Sequence, residues 1–162
     1  MEDVTILKDK KILAVDDEPD VLEVIAEELS DCRLVTANNF ESAKKLIESD
    51  NYDLVILDIM GVNGFQLLEL CVIQKLPAAM LTAKATDIRS MNRALSLGAV
   101  SFLPKEEMGS LGELTAEILQ GLQEGKSHWR RLFERLGPLF KQKFGIVWED
   151  LEKPSKVRIP WD

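Results

Sequence analysis

The sequence predicts an α/β protein in which a doubly wound parallel sheet of five strands is covered by helices on both faces. Short apolar runs rich in β-branched residues alternate five times with amphipathic stretches of helical length. The third run, LVIL, is apolar throughout, which is typical of a strand buried at the centre of a parallel sheet. Five strand–helix units in succession therefore indicate this fold class.

The predicted strands, in chain order, are Lys11–Val15, Arg33–Ala37, Leu54–Leu57, Ala78–Leu81 and Val100–Leu103. Between and after them, apolar residues recur every three or four positions, as on one face of a helix. These helical stretches are Val21–Leu29, Ala43–Ile47, Leu67–Cys71, Ile88–Leu95 and Leu111–Leu122. Asn39 and Thr86 are of the residue types that cap helices, and they are predicted to start the second and fourth helices.

Composition places the chain among ordinary globular proteins. Apolar residues make up 46% and charged residues 30% of its 162 residues. Cys32 and Cys71 lie far apart and lack the spacing of zinc ligands, which favours a reduced, cytoplasmic protein. We find no apolar signal core and no apolar run near the roughly 18 residues of a membrane span. We therefore expect a cytoplasmic protein that is not embedded in a membrane.

The charge is unevenly distributed. Residues 1–125 hold 11 Lys/Arg and 23 Asp/Glu, a net charge of -12, whereas residues 126–162 hold 9 and 5, a net charge of +4. An acidic body argues against nucleic acid as its partner.

Polar side chains follow the predicted strands. Asp16 and Asp17 follow the first strand, Asp58 the third and Thr82 the fourth, and Lys105 stands just beyond the fifth. Ligands of such sheets bind beyond the carboxyl ends of the strands. Three carboxylates there need a cation, and oxygen ligands suit Mg²⁺. The nearby lysine and hydroxyl favour a phosphoryl group, whose phosphorus Asp58 can attack.

Residues 10–125 resemble a response-regulator receiver domain of two-component signalling, through the motifs VDDEPD, VILDIM, LTA and GAVSFLPK. The resemblance implies a flavodoxin-like sheet with strand order 2-1-3-4-5. It also implies a receiver domain over residues 8–125, followed by an amphipathic helical extension and tail over residues 126–162 in place of an output domain.

The resemblance further implies that Asp58 is the phosphoacceptor, served by a histidine kinase or a histidine phosphotransfer protein. Asp16, Asp17 and Asp58 would bind Mg²⁺, with the main-chain carbonyl of Met60 as a further ligand. After Asp58 the chain reads IMGVNGF, whereas the family usually has Met-Pro and a glycine about two residues later. This difference is expected to displace the carbonyl ligand and the start of the third helix.

By the same resemblance, Thr82 would donate a hydrogen bond to a phosphoryl oxygen, Lys105 would pair with another, and Phe102 would be the switch aromatic. The family usually has proline after this lysine. Here Glu106 follows Lys105 and Pro104 precedes it, which bears on the path into the fifth helix.

The resulting prediction is a phosphorylation-switched regulator that signals through an unknown protein target and catalyses only its own phosphorylation and dephosphorylation. The alternative is a shuttle that passes phosphate to a second histidine protein. A third interpretation, a receiver that takes no phosphate, conflicts with the complete acidic set.

Residues 126–162 allow several roles. Large apolar residues there follow helical spacing, and basic residues surround them. Such a stretch could pack on its own domain, on a second copy in a homodimer, in a partner's groove, on a membrane surface or on nucleic acid; we expect the first or second. His128, the single histidine, is expected to be a surface residue rather than a phosphate relay. The apolar residues are Trp129, Leu132, Phe133, Leu136, Leu139, Phe140 and Phe144.

Overall fold

The computed structural model describes residues 4–83 and 86–124. Its strands are β1 (Lys11–Val15), β2 (Arg33–Ala37), β3 (Leu54–Asp58), β4 (Ala78–Thr82) and β5 (Ser101–Pro104). They pair in parallel in the order β2-β1-β3-β4-β5. The predicted fold class and strand order are confirmed.

The helices are α1 (Pro19–Glu28), α2 (Phe40–Ser49), α3 (Gly64–Ile73), α4 (Ile88–Leu97) and α5 (Leu111–Glu124). α2, α3 and α4 contact one another in series, whereas α1 contacts α5. Every residue of β3 is buried, because helices cover the sheet on both sides. None of the described helices is long and apolar enough to cross a membrane.

The core extends slightly ahead of the expected domain start at residue 8. A short 3₁₀ helix, Thr5–Leu7, precedes β1, and Leu7 belongs to the hydrophobic core. At the other end, the expected helical extension over 126–162 lies outside the described residues.

Of the two predicted helix caps, one is confirmed and one is wrong. The side chain of Asn39 accepts a hydrogen bond from the amide of Ser42 at 2.9 Å. The cap of α4 is Asp87, which accepts from the amide of Ser90 at 2.8 Å, and not Thr86. Thr86 is buried, and its hydroxyl instead accepts a hydrogen bond from the amide of Ala83.

The structure shows the backbone conformation at the two places where the sequence departs from the usual family pattern. Asn63 adopts a left-handed conformation, with φ of 56°, and α3 begins at the next residue. Lys105 opens a 3₁₀ segment, Lys105–Ser110, in which Glu107 departs from helical angles before α5 begins.

Both cysteines are free thiols. Burial raises the pKa of the Cys71 thiol to about 12. The pKa of Cys32 rises to about 11, first through burial and then through the neighbouring charges of Asp31 and Asp53.

Candidate functional site at the carboxyl ends of the strands

The acidic stretch after β1 turns directly into α1. The amide of Asp16 donates to the carbonyl of Ala37 at 3.2 Å, which continues the sheet by one bond. Oδ1 of Asp16 then accepts a hydrogen bond from the amide of Glu18 at 2.9 Å, and Pro19 begins the helix with a fixed φ. The result is one buried carboxylate, Asp16, followed by two exposed ones, Asp17 and Glu18.

Asp58 is the last residue of the central strand β3. It is only 4% exposed, and its Oδ1 accepts a hydrogen bond from the amide of Met60 at 3.3 Å. The amide of Ile59 donates to the carbonyl of Leu81 on β4, which fixes the turn that follows. The carboxylate is therefore held at the carboxyl end of the central strand, beside the end of β4.

Thr82 closes β4 and is fully buried. Within the described part of the chain, its hydroxyl oxygen has no hydrogen-bond partner. A buried hydroxyl left without a partner costs about 1–3 kcal/mol, and natural proteins rarely retain one without a functional reason. The hydroxyl is thus available to a ligand that enters the site.

Lys105 directly follows β5 and contacts three carboxylates of the site. Its Nζ lies 3.0 Å from Oδ2 of Asp16, 3.5 Å from Oδ1 of Asp58 and 3.4 Å from Oε1 of Glu18. Although burial alone would lower the pKa of Lys105, the hydrogen bond to Asp16 and the surrounding carboxylates raise it overall. The lysine therefore stays charged and neutralises part of the acidic cluster.

The same contacts do not fully offset the effect of burial on the pKa of Asp16. Burial raises its pKa, and the charge of Asp58 acts in the same direction, against the lowering effects of the Glu18 amide and of Lys105. A buried carboxylate that resists ionisation indicates a site with room for more positive charge.

Glu18 and Gly61 are two contributors that sequence reasoning did not select. Carboxylate oxygens of Asp16, Asp17 and Glu18 lie within 4.8 Å of one another, close enough to hold one metal ion. A Cβ on Gly61 would overlap Oδ2 of Asp58 and lie 2.7 Å from Oδ1 of Asp17. Only glycine lets the loop approach both carboxylates this closely.

The acidic cluster fits a hard divalent cation. Its donors are carboxylate oxygens, the ligands that Mg²⁺ prefers, and the pKa of Asp16 is raised in the absence of added positive charge. Met60 contributes its amide to Asp58. The role of its carbonyl as a ligand remains a prediction.

Phe102 is a fully buried residue of β5. It is paired with Met80 of β4, two residues before Thr82, while Thr82 is paired with Pro104. Because side chains alternate along a strand, Phe102 and Thr82 lie on the same face of the sheet as diagonal neighbours. The structure therefore brings the predicted switch residues onto adjoining positions.

Comparison with known proteins agrees with this arrangement. Response regulator protein PilR of Pseudomonas aeruginosa is 35% identical over 118 residues, which cover 68% of this chain and 26% of PilR. Response regulator GtcR of Aneurinibacillus migulanus is 37% identical over 101 residues, which cover 59% of this chain and 41% of GtcR. This chain therefore spans less than half the length of either relative.

Solved structures and family models lead to the same group. The crystal structure of a two-component response regulator from Clostridium difficile matches with a TM-score of 0.62 at 25% identity, over 68% of this chain and 96% of that chain. The family model of the response regulator receiver domain matches residues 12–118. This match covers well over half of the chain, which therefore belongs to the response regulator receiver domain family of two-component signal transduction.

Proposed function

We propose that this protein is a phosphorylation-switched regulator in which Asp58 accepts a phosphoryl group from a histidine of a partner kinase or phosphotransfer protein. The observation that carries the proposal is the convergence at Asp58: its carboxylate lies 3.5 Å from the Lys105 ammonium, beside the acidic cluster after β1 and the unpartnered hydroxyl at the end of β4. These are groups for holding a cation and the oxygens of a phosphoryl group.

In the transfer step, a carboxylate oxygen of Asp58 attacks phosphorus and forms an O–P bond. The P–N bond of the phosphohistidine breaks, and its electron pair returns to the imidazole nitrogen. Lys105 stabilises the charge on the phosphoryl oxygens, and the Thr82 hydroxyl donates a hydrogen bond to one of them.

Asp16 and Asp17, with Asp58 and the Met60 carbonyl, would hold Mg²⁺, and Glu18 adds a carboxylate to the same cluster. When bound, Mg²⁺ neutralises negative charge on the transferring group. The raised pKa of Asp16 supports this assignment, because a cation there would relieve the cost of ionising a buried carboxylate.

Signalling would follow from the pull of the phosphoryl group on Thr82. A hydrogen bond that exists only in the phosphorylated state is a differential contact, and only such contacts shift a conformational equilibrium. Phe102, diagonal to Thr82 on the same face, is the neighbouring bulky side chain whose packing that movement would change. The output is a change in affinity for a protein target.

The test is treatment with acetyl phosphate and Mg²⁺, followed by intact-mass measurement. With Mg²⁺ we expect one added phosphoryl group in the intact protein. We expect no added group when EDTA replaces Mg²⁺ from the start of the treatment, and none in Asp58→Asn. Asp53→Asn is the matched control, because Asp53 precedes the same strand at its opposite end. Equal labelling of Asp58→Asn and the intact protein would overturn the assignment.

A second measurement separates a switch from a shuttle. Phosphorylated protein is mixed with histidine phosphotransfer proteins and its phosphate is followed. Rapid, stoichiometric return of phosphate to a second histidine would favour the shuttle. Retention of phosphate, together with altered binding to an unmodified protein, is the outcome that we expect.

A further inference from the structure

A groove beside the phosphoacceptor loop shares only Met60, through its main-chain carbonyl, with the function proposed above. It has a volume of about 310 Å³ and lies between the loop after β3, the start of α3, and α4. We call it the Arg93 groove; its principal lining residues are Met60, Asn63, Phe65, Gln66 and Arg93. Met60 is 65% exposed, so an unusually accessible apolar side chain stands at its edge.

The groove combines apolar surface with positive charge. The Arg93 guanidinium lies over the ring of Phe65, with its central carbon 4.2 Å from the ring centroid. None of the ion pairs found within residues 4–83 and 86–124 involves Arg93. Arg93 is thus the positive charge that lines the groove on a strongly acidic domain.

One segment of this chain has the complementary composition. Residues 147–152 read VWEDLE and hold three of the five acidic residues of positions 126–162, a region that otherwise carries many basic residues. Two large apolar side chains, Trp148 and Leu151, lie among these acids. Aromatic surface and carboxylates are what an apolar groove lined by a guanidinium group would bind.

The segment can reach the groove. The described chain ends at Glu124, and the 23 residue steps to Val147 can span up to about 75 Å when extended. A domain of this size has a radius of gyration of only about 14 Å. Because the segment and the groove belong to one chain, the effective concentration of the segment at the groove exceeds that of a second copy in dilute solution, so the same chain is favoured.

We propose that residues 147–152 dock in the Arg93 groove of the same chain, with Trp148 against Met60 and Phe65 and with the carboxylates facing Arg93. The amide of Met60 is hydrogen-bonded to Asp58, so the docked segment borders the entrance to the carboxylate site.

The test uses the full chain with Trp129→Phe and Trp161→Phe, so that all tryptophan emission comes from Trp148. We expect blue-shifted emission and weak quenching by acrylamide. Arg93→Glu should at least double the quenching constant, while Arg33→Glu, the same charge change on β2, should leave it unchanged. Combining Arg93→Glu with Glu149→Arg and Asp150→Arg should restore protection, because the charges are then exchanged.

Urea unfolding shows whether each variant is folded, and Arg93→Gln is a second variant that only removes the charge. Full exposure of Trp148 in the intact chain, or protection unaffected by Arg93→Glu and Arg93→Gln, would overturn the proposal. Protection that increases with protein concentration would assign the groove to a second copy and would equally overturn it. None of these readouts requires phosphorylation, so the result is independent of the role of Asp58.

Discussion

The ammonium nitrogen of Lys105 lies 3.0 Å from Oδ2 of Asp16. The residues that follow the first and the last strand of the sheet are thus in direct contact. The Asp16 carboxylate is fully buried, yet its pKa remains above the ordinary value because burial outweighs the lysine and the Glu18 amide. The ion pair therefore reduces the cost of this buried charge without removing it.

The first prediction follows from the sign of this pKa change. A folded-state pKa above the unfolded value of 3.8 means that ionisation of Asp16 lowers the free energy of unfolding as pH rises. Asp16→Asn should therefore raise the urea midpoint at pH 7 in EDTA. The gain should shrink as pH falls and the native carboxylate takes up its proton.

The control is Asp17→Asn, which neutralises an exposed neighbour and should change the midpoint much less. Mg²⁺ should stabilise the intact protein and not Asp16→Asn. An intact protein as stable as Asp16→Asn at neutral pH, without metal, would contradict the argument.

The second prediction compares two glycines of the β3–α3 loop. A Cβ on Gly61 meets the ends of two carboxylate side chains, Asp58 and Asp17, whereas a Cβ on Gly64 would overlap the main-chain oxygen of Asp58 and lie 3.1 Å from Ile59 Cα. Side-chain ends can move and the main chain cannot do so cheaply. Gly61→Ala should therefore keep its stability but weaken the Mg²⁺-dependent rise in melting temperature.

Gly64→Ala should instead destabilise the fold by about 1–3 kcal/mol in urea, the usual cost of overpacking. If both variants lose stability equally and respond alike to Mg²⁺, the loop does not distinguish the two positions in this way.

The sequence predicted the ends of the strands well because the apolar runs stop where the strands reach the polar site at the carboxyl end of the sheet. Asp58 and Thr82 were found by this rule. The cap of α4 was missed because Thr86 and Asp87 are adjacent and both suit an N-cap. The backbone decides between them: Asp87 is extended, with φ of -95° and ψ of 170°, and only its side chain reaches the first helical amides.

Contacts that depend on the path of a loop could not be predicted in this way. Glu18 meets Lys105 across 87 positions, and the close approach of Gly61 to Asp58 depends on how the loop after β3 folds back. Neither relation has a signature in residue spacing, because both arise from tertiary packing.

The third prediction concerns Thr86. Its buried hydroxyl accepts the Ala83 amide at 3.0 Å, and its own amide donates to the carbonyl of Ala83 at 3.0 Å. Thr86→Val removes the acceptor and leaves the Ala83 amide without its partner, at a cost of about 1–3 kcal/mol. Urea unfolding should show this loss. Thr86→Ser keeps the hydroxyl and should retain most of the stability; equal losses in both variants would assign the effect to packing.

The last prediction concerns the lifetime of the phosphorylated state and depends on phosphorylation of Asp58. Hydrolysis requires a water molecule held in line with phosphorus. Met60 stands two residues after Asp58 with its side chain 65% exposed, and a thioether is too weak an acceptor to orient water. We therefore expect slow self-dephosphorylation. Met60→Asn supplies an amide and should speed decay on the order of 10-fold, equal to about 1.4 kcal/mol of barrier. Intact-mass measurement after removal of acetyl phosphate gives the rate, with Met60→Leu as the apolar control. Equal decay of the Asn and Leu variants would show that residue 60 does not govern access of water.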